Sequence, residues 1–142
     1  MGKTHFADIP GNKFAAYIGS AASGATNTAQ TIGWFLAPAD IKLESAYLVA
    51  SAAAWTGAAT NYQNLSVINK GTAGAGTTVM ALLSVSSTAV SVGSGAALAI
   101  TPSATAANLL ANSGDVICYN IAQSGDGQVY PVHHVHLLFS FQ

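Results

Sequence analysis

Between residues 41 and 50, apolar and polar positions alternate. Ile41, Leu43, Ser45, Tyr47 and Val49 fall on one side, and Lys42, Glu44, Ala46 and Leu48 on the other. A two-residue period marks a strand with one buried face. Similar short segments, rich in Val, Ile, Leu, Thr and Tyr, recur at residues 30–36, 61–70, 77–85, 88–92, 96–101, 116–122 and 129–141. Turn residues divide them: Pro38 and Asp40, the run Gly71–Gly76, the pair Gly93 and Gly95, and Asn112–Asp115. Ser124-Gly125-Asp126-Gly127 is a hairpin signal, because glycine supplies the positive φ such loops need. Residues 51–60 form an Ala-rich link long enough for one helical turn, and residues 102–112 read as a loop or a short helix.

About eight short strands without strand–helix alternation predict an all-β fold, an antiparallel β-sandwich or a jelly-roll-like barrel. The order of the strands is not visible in the pattern. Alternation assigns to the core Leu43, Tyr47, Val49, Leu65, Val67, Val79, Ala81, Leu83, Ile100, Ile117, Tyr119, Ile121, Val135, Leu137 and Phe139.

Residues 1–29 read differently. Their apolar residues are scattered without a sustained period, and 19–29 is a run of small and polar residues. The expected organisation is an extended N-terminal arm, 1–29, followed by a β-domain, 30–142. Phe6, Ile9, Phe14, Tyr17 and Ile18 are too apolar for a solvated tail. They fold back on their own domain, or they lie on a neighbouring subunit or a support surface. The second reading makes these five the candidate interface residues.

Composition narrows the function more than the fold. The 142 residues fit one domain. Charged residues make up 6%, against about a quarter in an ordinary domain. A net charge of -1, with four Lys and no Arg, leaves no electrostatic footprint for nucleic acid. A single cysteine excludes an internal disulfide framework and a Cys-cluster zinc site; Cys118 is expected to be buried and reduced. The groups that do acid–base chemistry are scarce, so neither enzymatic activity nor a cofactor is expected. The mean hydropathy of +0.42 raises the question of a membrane span. The best candidate, 82–100, is broken by Ser and Gly and suits strands better. The first residues lack the apolar core of a secretion signal, so synthesis in a cytoplasm is expected. So few charges suit a chain whose surface is hidden in an assembly.

Local motifs add little chemistry. Gly2-Lys3-Thr4 lacks the upstream glycine and strand of a phosphate-binding loop, and Gly71–Gly76 has the wrong spacing for a dinucleotide fingerprint. No Ser lies in a nucleophile elbow. Trp34, Trp55, Tyr62 and Tyr130 suit packing rather than a sugar-stacking platform. His133, His134 and His136 form the most noticeable cluster. His134 and His136 share a strand face and are the one candidate metal pair, but no spacing supplies a third ligand. A solvent or subunit-interface face is the expected role, and no metal is expected.

Two stretches carry a resemblance. Residues 56–84 read TGAATNYQNLSVINKGTAGAGTTVMALLS, and 98–138 read LAITPSATAANLLANSGDVICYNIAQSGDGQVYPVHHVHLL. In both, small-residue segments lead through Gly-rich turns into strands. Together they resemble small virion structural proteins of tailed bacteriophages, of the head-decoration or capsid-stabilising kind. The likeness covers about half the chain and leaves out the N-terminal 30 residues. It implies a homotrimer on the outer surface of a capsid, bound to the major capsid protein, with no catalytic residues. A different class, a fibre-tip or receptor-binding domain for a host glycan, and a third, a membrane-associated β protein, remain alternatives on the residues alone.

Overall fold

Where they are described, the alternating segments hold strands, and every pairing among the described residues is antiparallel. The computed structural model describes residues 12–21, 29–50, 53, 55–87, 91–92 and 95–142. The long strands are β1 (Lys13–Ala21), β2 (Gln30–Leu36), β3 (Ile41–Ala50), β5 (Tyr62–Asn69), β6 (Thr78–Ser84), β8 (Ala97–Pro102), β10 (Val116–Ser124) and β11 (His133–Phe141). Among the described residues, three two-residue strands, β4 (Trp55–Thr56), β7 (Ser91–Val92) and β9 (Leu110–Ala111), and one 3-10 turn (Ala106–Leu109) lie in the connections.

The strand order is β1-β11-β3-β8-β6-β5-β10-β2. We call β1, β11, β3 and β8 the front sheet and β6, β5, β10 and β2 the back sheet. Along the chain the eight long strands run front, back, front, back, back, front, back, front. That winding is a jelly roll. The sheets join at a short seam, where β6 meets β8 through the pairs Ala81–Pro102 and Leu82–Thr101. At the far side the two end strands of the order meet through side chains. Phe14 of β1 lies 6.0 Å from Phe35 of β2, and both stack on Phe139 of β11. The interior is filled by residues of both sheets, among them Ile41, Leu43, Leu65, Val67, Ile100, Ile117, Ile121, Val135 and Leu137.

Two bulges change the expected core. On β3, Ser45 pairs with Leu138 and Leu43 with Phe139, so Glu44 is an extra residue. An inserted residue shifts the side-chain phase by one. Ile41 and Leu43 point inward before the bulge; Ala46, Leu48 and Ala50 do so after it. Tyr47 and Val49, expected inside, therefore face outward, and Tyr47 is 44% exposed. On β6, Ala81 pairs with Val67 and Val79 with Ile68, so Met80 is the extra residue. Met80 and Ala81 are both buried, and Val79, also expected inside, is exposed. Leu83 packs partly buried at the edge of the core, and the other expected core residues are buried.

Residues 13–21 of the expected arm form β1, paired with β11 along its length. Residues 1–11 and 22–28 lie outside the described residues. Of the strand expected at 88–92, the described part is β7; of the 51–60 link, the described residues hold β4 rather than a helical turn.

The Gly-rich turns serve different needs. Gly125 and Gly127 adopt φ of 59° and 62°, as the hairpin reading requires. Gly76 is needed for space instead. Its amide donates to the Lys70 carbonyl at 2.7 Å, and a Cβ there would lie 2.8 Å from the Lys70 carbonyl carbon. The obstacle is backbone and cannot swing away. Gly76→Ala is expected to lower stability by about 1–3 kcal/mol, read by urea unfolding. A variant as stable as the parent would show that the 70–76 turn relaxes freely.

Candidate interaction surface

The registers place outward residues of the front sheet in rows across β1, β11, β3 and β8. At one end Lys13, Ser140 and Lys42 are neighbours. Lys42 lies 3.5 Å from Glu44, and the Ser140 hydroxyl donates to Glu44 at 2.7 Å. That hydroxyl, with Lys42 beside it, holds the Glu44 carboxyl below its ordinary value. The next row is Ala15, Leu138 and Ser45; then Tyr17, His136, Tyr47 and Ala99; then His134, Val49 and Ala97. These last three rows contain no Lys, Arg, Asp or Glu.

Within them Tyr17 is 58% exposed. Its ring stacks on His134 at 5.4 Å and meets His136 edge-on at 5.2 Å. Its hydroxyl is hydrogen-bonded to His134 Nδ1. Tyr17, His136 and Tyr47 thus form a raised aromatic ridge over three strands. Ala97 and Ala99 of β8 make a low strip beside it. Around the β8 edge, at the seam, lies an open groove of about 400 Å³ lined by Val79, Ala81, Leu82, Thr101, Pro102 and Asn108. Leu82 is 46% exposed there.

His133, one position from His134, has the opposite parity and points inward. It is buried in a cage of Trp55, Tyr119 and Tyr130, with ring centroids 5.5–5.8 Å away. Its Nδ1 donates to the Pro131 carbonyl at 2.8 Å, and its Nε2 accepts from the Tyr119 hydroxyl at 3.0 Å. Both ring nitrogens are therefore used by a neutral imidazole. Burial pushes the imidazole below its ordinary value; nearby His134 acts in the same direction, and the Pro131 bond opposes it. Burial also pushes the Tyr119 phenol well up, so it remains a donor.

The five candidate interface residues separate accordingly. Tyr17 is open to a partner. Ile18 is buried in its own chain, and Phe14 packs on Phe35, Phe139 and Phe141, so both belong to the core. Both therefore follow the first of the two readings, folding back on their own domain. Phe6 and Ile9 lie outside the described residues. His134 and His136 share the front face as expected. Among the described residues no group of three or more His, Cys, Asp or Glu comes together. Of the aromatics weighed as a platform, Trp55 and Tyr130 are buried and Tyr62 is half-buried; Trp34 lies on β2. Cys118 is free and buried, and burial pushes its thiol up. Among the described residues no helix is long and apolar enough to cross a membrane.

Tyr47 was missed as a surface residue because the Glu44 bulge hides its parity. Leu82, opposite in parity to the expected core residues Ala81 and Leu83, is outward as the alternation implies, but no sequence signal marks the groove it lines. Comparison with known proteins adds fold likenesses at low identity. No protein-family model and no curated protein matches the chain. Among solved structures, it is similar to infectious bursal disease virus, Gx strain, at a TM-score of 0.46 and 10% identity, over 90% of this chain and 32% of that one. It is similar to the Gt strain of the same virus at a TM-score of 0.39 and 10% identity, over 92% of this chain and 34% of that one. The chain thus spans about a third of the length of the chains it matches.

Proposed function

We propose that this chain is a non-enzymatic virion structural protein that decorates and cements the outer surface of a tailed-phage capsid. Its partners are the major capsid protein and its own copies, and it takes no cofactor. The observation that carries the reading is the front face, three rows of aromatic, imidazole, aliphatic and small side chains without a Lys, Arg, Asp or Glu. Such a surface suits repeated contact with protein, since interface centres are depleted of charge and enriched in Tyr. The turn-and-strand motifs of 56–84 and 98–138 support the phage setting. Many weak contacts repeated over a shell add up through multivalency.

The test is add-back. Heads assembled without the protein are mixed with purified chain, and bound copies are counted by quantitative mass spectrometry. Saturation at a fixed, large number per head is expected, with a rise in the temperature at which heads rupture. A few copies confined to the tail, together with binding to host cells, would point to the glycan-receptor alternative and sink the proposal.

A further inference from the structure

We infer that the end of the barrel beside His133 is a built hydration site, where buried water joins Trp55 Nε1, the Tyr130 hydroxyl, Gln63 Oε1 and Gln128 Oε1. The site is independent of the decoration reading.

The four atoms belong to one contiguous cluster, at the end where β5 and β11 begin and β10 finishes. Gln63 Nε2 donates to the Gln128 carbonyl at 3.0 Å. Gln128 Nε2 donates in turn to the Thr56 carbonyl at 2.7 Å, and Thr56 follows Trp55 in β4. The Trp55 ring lies 5.7 Å from that of Tyr130, two residues beyond Gln128. Gln63, Trp55 and Tyr130 are buried, and so is the Oε1 atom of Gln128. Gly127 makes room for the Gln63 amide. A Cβ at position 127 would lie 2.8 Å from Gln63 Nε2.

Those two amide bonds fix which way each glutamine faces. A backbone carbonyl only accepts, so the nitrogen of each amide must be the atom turned towards it. Each Oε1 is then left on the other branch of its amide. Neither oxygen has a protein partner, nor does the Trp55 N–H or the Tyr130 hydroxyl. Burial pushes the Tyr130 phenol up, so it keeps a proton to donate. A single buried polar group left unpaired is costly, and native chains contain few of them. Four in one cluster call for a partner.

The count of donors and acceptors identifies that partner. Two acceptors, the amide oxygens, and two donors, the indole and the phenol, are waiting. A cation would suit the oxygens but would face the indole N–H. An anion would suit the two donors but would face two amide oxygens. Water donates twice and accepts twice, which matches the set, and it is small and neutral enough for a covered site. Buried waters make about three hydrogen bonds each to groups of this kind. Bound there, water ties β4 and β5 to the segment 128–130 without any charged residue.

The experiment is proton NMR of the full chain, reading contacts between the assigned Trp55 indole proton and water. A cross-peak with the sign of a long-lived contact is expected. Tyr130→Phe removes the phenol proton, which could otherwise relay exchange with solvent, and the cross-peak should persist. The same variant gives a second, independent reading by urea unfolding. If water holds the hydroxyl, its loss should lower the folding equilibrium constant about three- to tenfold. A hydroxyl without a partner would leave that constant unchanged or raise it. A missing cross-peak in the wild type, one that disappears in Tyr130→Phe, or a constant that does not fall would each overturn the inference. Binding to capsids does not enter either readout, so failure of the decoration reading leaves the site standing.

Discussion

Replacing Phe139 with alanine is expected to lower the unfolding free energy by about 3–5 kcal/mol. The melting temperature should fall by roughly 10–20 °C. Phe139 is fully buried and stacks on Phe14 at 5.4 Å and on Phe35 at 5.6 Å. Those two residues sit on β1 and β2, the ends of the strand order. The barrel is held at this side by rings rather than by a ladder. Truncating the middle ring opens a cavity beside the contact between β1 and β2, which no backbone pairing joins. Leu138, the next residue along β11, points outward on the front face and is only half-buried. Leu138→Ala should shift stability by no more than about 0.5 kcal/mol. Calorimetry on the two variants decides the matter; equal losses would mean that the inward and outward faces of β11 are misassigned.

Acidification is expected to destabilise the protein through His133. The caged imidazole is neutral in the folded chain and titrates below its ordinary value of 6.5. In the unfolded chain it titrates near that value. Between the two, the unfolded state binds more protons, so stability falls as pH falls. The contribution is intact above about 6.5, declines below it, and is lost once pH passes the lowered folded value. Protonation also turns Nε2 into a donor, so the Tyr119 oxygen must accept from it and the buried phenol proton loses its acceptor.

His133→Phe alone would leave that buried hydroxyl without an acceptor, at a cost of about 1–3 kcal/mol. The double variant His133→Phe, Tyr119→Phe removes both partners of that bond and keeps an aromatic ring at each position, though it also removes the donor to the Pro131 carbonyl. Whatever its stability at pH 7.5, it should lose less than the wild type on going to pH 5.5. Urea unfolding at the two pH values measures this. Parallel losses in the wild type and the double variant would show that His133 does not set the slope.

How much of this was legible in the sequence depends on phase. Ile41 and Leu43 followed the two-residue period into the core; Tyr47 and Val49 did not, because Glu44 adds a residue that leaves no mark in the pattern. Ala46 and Ala50 could not betray the shift, since alanine suits either face. Val79 and Met80 repeat the case on β6. His133 was readable in principle. It shares parity with Val135, Leu137 and Phe139, all expected inside, but clustering with His134 and His136 drew it to the surface. The same holds for Phe14, Ala16 and Ile18, whose alternation marks β1 within the segment taken as an arm. Strand order was out of reach. It rests on pairings such as Lys13 with Ser140, between segments that share no local signal. The ridge and groove were hidden for the same reason, since each is assembled from strands distant in sequence.

The pairing of β1 with β11 also governs when the protein can fold. β1 is among the earliest segments of this chain to be synthesised and β11 among the last, so the front sheet cannot assemble until β11 has cleared the ribosome. Until then Phe14 and Ile18 have no sheet to bury them. Non-local all-β topologies reach the native state on the order of milliseconds to seconds. A freshly made chain therefore spends its first moments with apolar strand edges uncovered, when neighbouring copies on the same message are close by. Yield in the host should then depend on synthesis rate and chaperone supply as much as on the stability of the finished barrel.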